Sequence, residues 1–178
     1  MKNFHYLCYN GIDDKLGVNM KKVLFIASTG GHLDELMQLK SMFNDYDYHL
    51  ITEKTKSTLS LKDIYPKRVN YLVYGTYTTF LNRIIYPFKL IYNTFKSLVL
   101  YIKIRPKYIV TTGTHTSGPM CLIGHIFGSK VIYIETFANS STKSKTGRLV
   151  YKFADFFVIQ WESLKELYPD ATYGGWIF

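Results

Sequence analysis

From residue 22 onward the chain alternates between two textures. Short runs rich in β-branched residues occur at 23–28, 48–53, 69–74, 108–113, 130–135 and 155–161. Each run is almost continuously apolar, as expected of a strand buried on both faces. Between most of them lie stretches with helical spacing. Leu33, Leu36, Met37, Leu39 and Lys40 open the first, and 119–127 and 147–154 read as others. Strands alternating with helices predict a mostly parallel sheet covered on both sides. That is a doubly wound, Rossmann-like α/β domain with right-handed crossovers. Residues 20–178 show no repeat, low-complexity tract or linker and read as a single domain, in keeping with the length of 178 residues. Residues 1–19 are polar and without period, and Met20 opens MKKVLFIASTGGH in the manner of a natural chain start. They are expected to form a loose N-terminal extension; an ordinary structured arm is the alternative.

The stretch 82–105 departs from this texture. It is helical in spacing but apolar almost all round, with Ile84, Ile85, Phe88, Ile91, Phe95, Leu98, Val99 and Ile102 among its residues. Lys89, Lys96 and Lys103 recur every seventh position and form a narrow basic stripe, with Asn82 and Asn93 near it. Lysines at every second turn argue against a transmembrane span. A helix covering a sheet needs only a limited apolar stripe. The excess predicts a second apolar contact, with lipid or with a protein partner. The aromatic cluster Tyr71, Tyr74, Tyr77, Phe80 and Tyr86 suits either surface.

Charge sharpens the point. The chain carries 22 Lys+Arg against 13 Asp+Glu, a formal net charge of +9. Residues 64–134 contain no acid, and Lys67, Arg68, Arg83, Lys89, Lys96, Lys103, Arg105, Lys107 and Lys130 fall inside them. The remainder is neutral. These bases sit among aliphatic and aromatic residues, so a nucleic-acid module is disfavoured, and no nucleic-acid recognition motif is present. An apolar, basic segment suits the anionic face of a membrane, with contact through Arg83, Lys89, Lys96, Lys103 and Arg105.

Two turns carry candidate chemistry. The first strand ends in Ser28-Thr29-Gly30-Gly31-His32 before a helix. A glycine turn there lets backbone N–H groups approach a phosphate or diphosphate, aided by the helix N-terminus. It is neither the dinucleotide fingerprint nor a P-loop, and no Gly-Lys-Ser/Thr follows, which argues against ATP hydrolysis. A tight turn without ligand remains the other reading. His32 fits a base, a phosphate donor or a simple helix-start residue. The fourth strand ends in Thr111-Thr112-Gly113-Thr114-His115-Thr116-Ser117-Gly118-Pro119. In open α/β sheets, ligands bind beyond the carboxyl ends of strands where the winding reverses. Two such turns on one crevice predict an anionic ligand held by Thr29, Gly30, Gly31, His32, Gly113, Thr114, His115, Thr116 and Ser117. Glu135 ends the fifth strand at the same crevice, as a general base, a holder of a sugar hydroxyl, or a capping or ion-paired carboxylate. The polar, basic loop 140–148 follows; it fits a headgroup contact or a solvated surface.

Cys8 and Cys121 are too few for a disulfide framework and lack metal spacing, so neither a metal nor a cofactor is expected. A reduced compartment is the default, and no signal peptide is visible.

Taken together, VLFIASTGGHLDELMQL, VIYIETFA and TGRLVYKFADFFVIQWESLKELYPDATYGG resemble bacterial capsular and exopolysaccharide biosynthesis proteins. These are similar to the membrane-anchoring subunit of the eukaryotic two-subunit N-acetylglucosaminyltransferase that acts on dolichol diphosphate. The resemblance covers roughly residues 20–178. It implies an acceptor-side half of a two-domain glycosyltransferase of the GT-B type, whose donor-binding half is a separate subunit. It further implies an undecaprenyl-diphosphate-linked sugar as acceptor, a nucleotide sugar brought by the partner, and transfer of a sugar such as β-1,4-galactose. By motif, Gly30, Gly31 and His32 match the family's glycine turn near the acceptor diphosphate, and Glu135 matches its I-E-[ST]-F acid. His32 and Glu135 are the candidate catalytic residues. The expected location is peripheral, on the cytoplasmic face of the cell membrane. Eukaryotic members begin with a hydrophobic anchor helix, and residues 1–20 do not read as one. Two rival readings are a non-catalytic scaffold that recruits the transferase and a stand-alone nucleotide-sugar-binding enzyme.

Overall fold

The computed structural model describes residues 20–75 and 79–177. The expected N-terminal extension, Cys8 and Tyr77 lie outside them. Strands β1 (Lys22–Ala27), β2 (Asp47–Glu53), β3 (Val69–Leu72), β4 (Tyr108–Gly113), β5 (Lys130–Ile134), β6 (Phe156–Ile159) and β7 (Thr172–Tyr173) form one sheet. Their order is β3-β2-β1-β4-β5-β6-β7, and every pairing is parallel. Helices α1 (Gly31–Met37), α2 (Leu61–Ile64), α3 (Phe80–Ile104), α4 (Gly118–Ile126) and α5 (Lys145–Val150) connect them. The doubly wound fold is as expected, with the winding reversing between β1 and β4.

Residues Val23 to Ala27 have no exposed surface, which explains why their run carries no polar alternation. One core lies on the α1 side and holds Phe25, Leu36, Phe43, Val110 and Ile134. The other lies under α3, α4 and α5 and holds Leu24, Ile26, Leu100, Tyr101, Met120 and Val150. Cys121 is fully buried in the second core, and burial pushes its thiol up to about 12. It behaves as a small apolar side chain.

Several boundaries differ from expectation for local reasons. The run 69–74 leaves the sheet after Leu72 because Val73 pairs with a side chain instead of a strand. Asn93 Oδ1 accepts from Val73 N at 2.9 Å and its Nδ2 donates to Val73 O at 2.8 Å. The first helix stops at Met37, and a 3₁₀ segment at Lys40–Asp45 carries Met42 and Phe43 into the core. The helix expected at 147–154 runs from Lys145 to Val150, because Ser144 caps it by accepting from Gly147 N at 2.9 Å. The strand β7 has too short an apolar run to be seen in the sequence.

Helix α3 has 25 residues, about 37 Å of length at the standard rise. Thr79 caps its start by accepting from Asn82 N, and Arg105 at φ 50° ends it just before Pro106. Its side toward the sheet carries Asn93, Ser97, Leu100, Tyr101 and Ile104. Its outer side carries Phe80, Ile84, Phe88, Ile91, Phe95, Val99 and Ile102, each about half exposed or more. The basic stripe is therefore not the crown of the outer face. Lys89 and Lys96 are half-buried along its flank, and Lys89 Nζ donates to Tyr74 O at 3.2 Å. Asn93, expected beside them, faces inward. Among the described residues, no helix is long and apolar enough to cross a membrane.

The basic block is also less uniform than its sequence. Arg68 pairs with Asp47, and Lys130 Nζ lies 2.6 Å from Asp155 Oδ1. Both pairs sit at the amino ends of strands, at the opposite edge of the sheet from the two glycine turns.

Candidate functional site

At the carboxyl ends of β1, β4 and β5 lies a cavity of about 1010 Å³ lined by His32, Arg83, Tyr86, Thr114, His115, Thr136, Asn139 and residues 142–146, among others. Among the described residues its walls carry Arg83, Lys143 and Lys145 with two histidines and no carboxylate. This favours an anionic ligand, and the place is the switch point where α/β sheets bind ligands.

The first wall is the turn after β1. Gly30 stands at φ 87°, a region closed to side chains, and its carbonyl accepts from Leu33 N and Asp34 N to start α1. No atom lies within 4 Å of where a Cβ on Gly30 or Gly31 would sit, so the backbone there faces open space. His32 Nδ1 donates to Thr112 O at 2.9 Å, and Thr112 Oγ1 donates back to His32 O at 2.6 Å. This clasp is possible because the β1–β4 register slips. Ile26 pairs with Thr111 but Ala27 pairs with Gly113, leaving Thr112 as a bulge residue turned toward His32. Burial pushes the His32 imidazole below its ordinary value. The Thr112 bond and the Glu135 charge oppose that, and His115 adds to it. With Nδ1 committed as donor, the neutral ring keeps its lone pair on Nε2.

The second wall is the turn after β4. Gly113 has φ 104°, and a Cβ there would fall 2.7 Å from Tyr133 Oη, so no other residue fits. Thr114 is held at φ 75°, strained for a β-branched residue. Ser117 secures it, donating Oγ to Thr114 O at 2.8 Å. Thr116 and Ser117 are buried, so they frame the turn while Thr114 and His115 line the cavity.

Behind the lining stand three buried carboxylates. Glu135 is fully buried and does not line the cavity. Its Oε1 accepts from Thr136 N, and its Oε2 accepts from Ser144 Oγ at 3.0 Å and Tyr168 Oη at 2.8 Å. A Cβ on Gly147 would lie 2.2 Å from Glu135 Oε2, so the tight start of α5 depends on that glycine. Glu35 of α1 accepts from Thr136 Oγ1 at 2.8 Å and Phe137 N at 3.1 Å, both on Oε1. Its Oε2 is buried without a hydrogen-bond partner among the described residues. Burial pushes this carboxyl up to about 7 against those two bonds and the nearby Gln160 amide, with the Glu135 charge adding. Glu53 ends β2 and reaches across to the second turn. Glu35 and Glu53 escaped the sequence reading, although Glu53 carries the same signal as Glu135, an acid closing a strand.

The expected anion-binding residues thus converge, in two layers. His32, Thr114 and His115 reach the cavity; Gly113, Thr116 and Ser117 shape it from behind. Thr29 turns aside, its Oγ1 3.3 Å from Thr55 Oγ1. Arg83, expected at a membrane, stands in the cavity wall with Tyr86, while Lys89, Lys96, Lys103 and Arg105 follow α3 away from it. Among the described residues, no group of three His, Cys, Asp or Glu is placed to hold a metal.

A parallel sheet of this order with its crevice at the switch point is the architecture of one Rossmann-like half of a GT-B glycosyltransferase. Among solved structures it is similar to MurG of Acinetobacter baumannii, with a TM-score of 0.63 and 16% identity, over 80% of this chain and 42% of that one. It is also similar to the UDP-GlcNAc 2-epimerase of Methanocaldococcus jannaschii, with a TM-score of 0.60 and 14% identity, over 82% and 41%. These likenesses are of fold, and the chain spans less than half of either protein. The family "Oligosaccharide biosynthesis protein Alg14 like" matches residues 23–177, and the chain belongs to it. The "UDP-N-acetylglucosamine transferase subunit ALG14" proteins of Mus musculus and Homo sapiens are each 27% identical to it. They align over 86% of this chain and 82% and 81% of their own lengths. The capsular setting and the galactose expected from sequence go beyond what these relatives carry.

Proposed function

We propose that this chain is the acceptor-side accessory subunit of a two-component glycosyltransferase, docked on a membrane and presenting a polyprenyl-diphosphate-linked sugar to a separate donor-binding subunit. The observation that carries this reading is the acid-free cavity wall continuous with α3. Arg83 and Tyr86 of the first turns line the cavity, and the outer face of the same helix offers Phe88, Ile91 and Phe95 to an apolar phase. A diphosphate in the cavity would then have its lipid beside the exposed apolar face. Basic residues along the flank suit anionic headgroups, at roughly 1 kcal/mol each.

The partner brings the nucleotide sugar into the crevice. Inverting displacement at its anomeric carbon requires a base for the acceptor hydroxyl and donors for the leaving diphosphate. His32, which lines the cavity with its Nδ1 held by Thr112, suits the first task better than Glu135, which three donors already occupy. Likeness to the mouse and human subunits favours N-acetylglucosamine as the transferred sugar over β-1,4-galactose. Undecaprenyl diphosphate as carrier, and the cytoplasmic membrane face as location, follow from the capsular resemblance. The test is co-expression with and without the cognate transferase, followed by assay of sugar transfer to lipid-linked acceptor. Transfer is expected only with both chains; equal transfer without this one would reject the proposal.

A further inference from the structure

One well-connected buried acid has no part in the mechanism above. Glu53 is 1% exposed. Its Oε1 accepts from Thr116 Oγ1 at 2.7 Å and Gly75 N at 3.4 Å, and lies 3.6 Å from His115 Nε2. Its Oε2 accepts from Thr29 N at 3.3 Å. One carboxylate therefore joins three separate segments: the turn after β1, the stretch after β3, and the turn after β4. Sequence order does not bring these together, since β1 lies between β2 and β4 in the sheet.

A buried carboxylate is tolerated when it is ionised, hydrogen-bonded and given a counter-charge. Burial by itself would raise the Glu53 carboxyl. The neighbouring His115 imidazole, the Thr116 bond and the Gly75 N–H outweigh it and hold it below the ordinary carboxylate range. The group that faces it is an imidazole whose side chain is 31% exposed and lines the cavity. The ring is held on a second side by Tyr86, edge-on at 5.4 Å between centroids.

Resting on the diphosphate reading above, we infer that Glu53 is the positioning residue of this site. It orients His115 from behind, with a carboxylate opposite the ring when the imidazole is protonated, so that the imidazole meets a diphosphate in the cavity. Glu53 itself stays behind the wall and touches no ligand. The arrangement also explains how a cavity that binds an anion tolerates a carboxylate so near: the carboxylate is shielded by the imidazole it holds. Glu53→Gln keeps the shape and one acceptor oxygen but loses the charge. His115→Gln removes the group through which Glu53 acts.

The test is a double-mutant cycle on the full-length chain, titrated with inorganic pyrophosphate in a calorimeter. Glu53→Gln and His115→Gln are each expected to weaken binding about tenfold, the scale of one charge-assisted contact. The double variant is expected to bind no worse than the weaker single one, and Glu53→Asp to recover part of the loss. Losses that multiply in the double variant would overturn the inference, since a purely structural strut acts independently of His115. So would unchanged binding by Glu53→Gln. Thermal melts accompany each titration; should Glu53→Gln not fold, Glu53→Asp replaces it in the cycle under the same criterion. Absence of pyrophosphate binding by the wild-type chain would instead overturn the diphosphate reading, and this inference with it.

Discussion

Glu35 shows what a single side chain does here. It ties α1 to the loop after β5 with one oxygen and leaves the other buried without a hydrogen-bond partner among the described residues. Its carboxyl is raised from 4.5 to about 7, so the protonated form is favoured in the folded chain. The sign follows: the contribution of Glu35 is fully present below its unfolded value and is lost as pH rises through about 7. Glu53 shifts in the opposite direction, so the wild-type curve alone mixes the two. A comparison with Glu35→Gln isolates the effect, because Gln keeps the acceptor for Thr136 and Phe137. The variant is expected to match wild type near pH 4 and to be the more stable by up to about 3 kcal/mol above pH 7. Denaturant unfolding at both pH values measures it; a difference that does not grow with pH contradicts the assignment.

At the scale of elements, α3 inverts the usual arrangement. Surface helices hide their apolar side and show their polar one. This helix turns Asn93 and Ser97 inward and leaves Phe88, Ile91 and Phe95 between 66% and 69% exposed. Fully burying such a side chain gains about 1.5–3 kcal/mol, and an uncovered row exceeds the scatter normal for a soluble surface. Replacing Phe88 and Phe95 by Ser is expected to lower the fraction that co-floats with anionic vesicles severalfold without lowering thermal stability, because neither side chain is in the core. Replacing Lys89, Lys96 and Lys103 by Glu is expected to act in the same direction and to do so more strongly at low salt. Unchanged flotation in both variants would remove the membrane from the account.

At the scale of the whole molecule, the fold matches about two fifths of the solved structures it resembles. The mouse and human relatives are named as subunits of a transferase. Replacing both His32 and Glu135 by Ala in the complex separates an acceptor site from a recruiting scaffold. With His32 as base, transfer is expected to fall about a hundredfold or more while the chain still reaches the membrane. Full activity in this variant would favour the scaffold. Loss of folding traced to Glu135 by thermal melts would leave His32→Ala to decide alone.

The order of strands and helices, the two glycine turns and their location at the reversal of winding were legible because they rest on local signals. Continuous apolar runs mark strands buried on both faces, and Gly30 and Gly113 mark backbone closed to side chains. Of the acids behind the cavity, Glu135 was legible but Glu35 and Glu53 were not. Glu53 meets His115 over 62 positions, and Glu35 meets Thr136 over 101. Nor was the facing of α3, since a stripe of lysines looks the same whether it crowns a helix or flanks it. Sequence alone determined what each segment is and the sign of the charge it carries. Only the tertiary structure decided which segments share a wall, because that depends on sheet order and a one-residue bulge, and neither is encoded within a single stretch of chain.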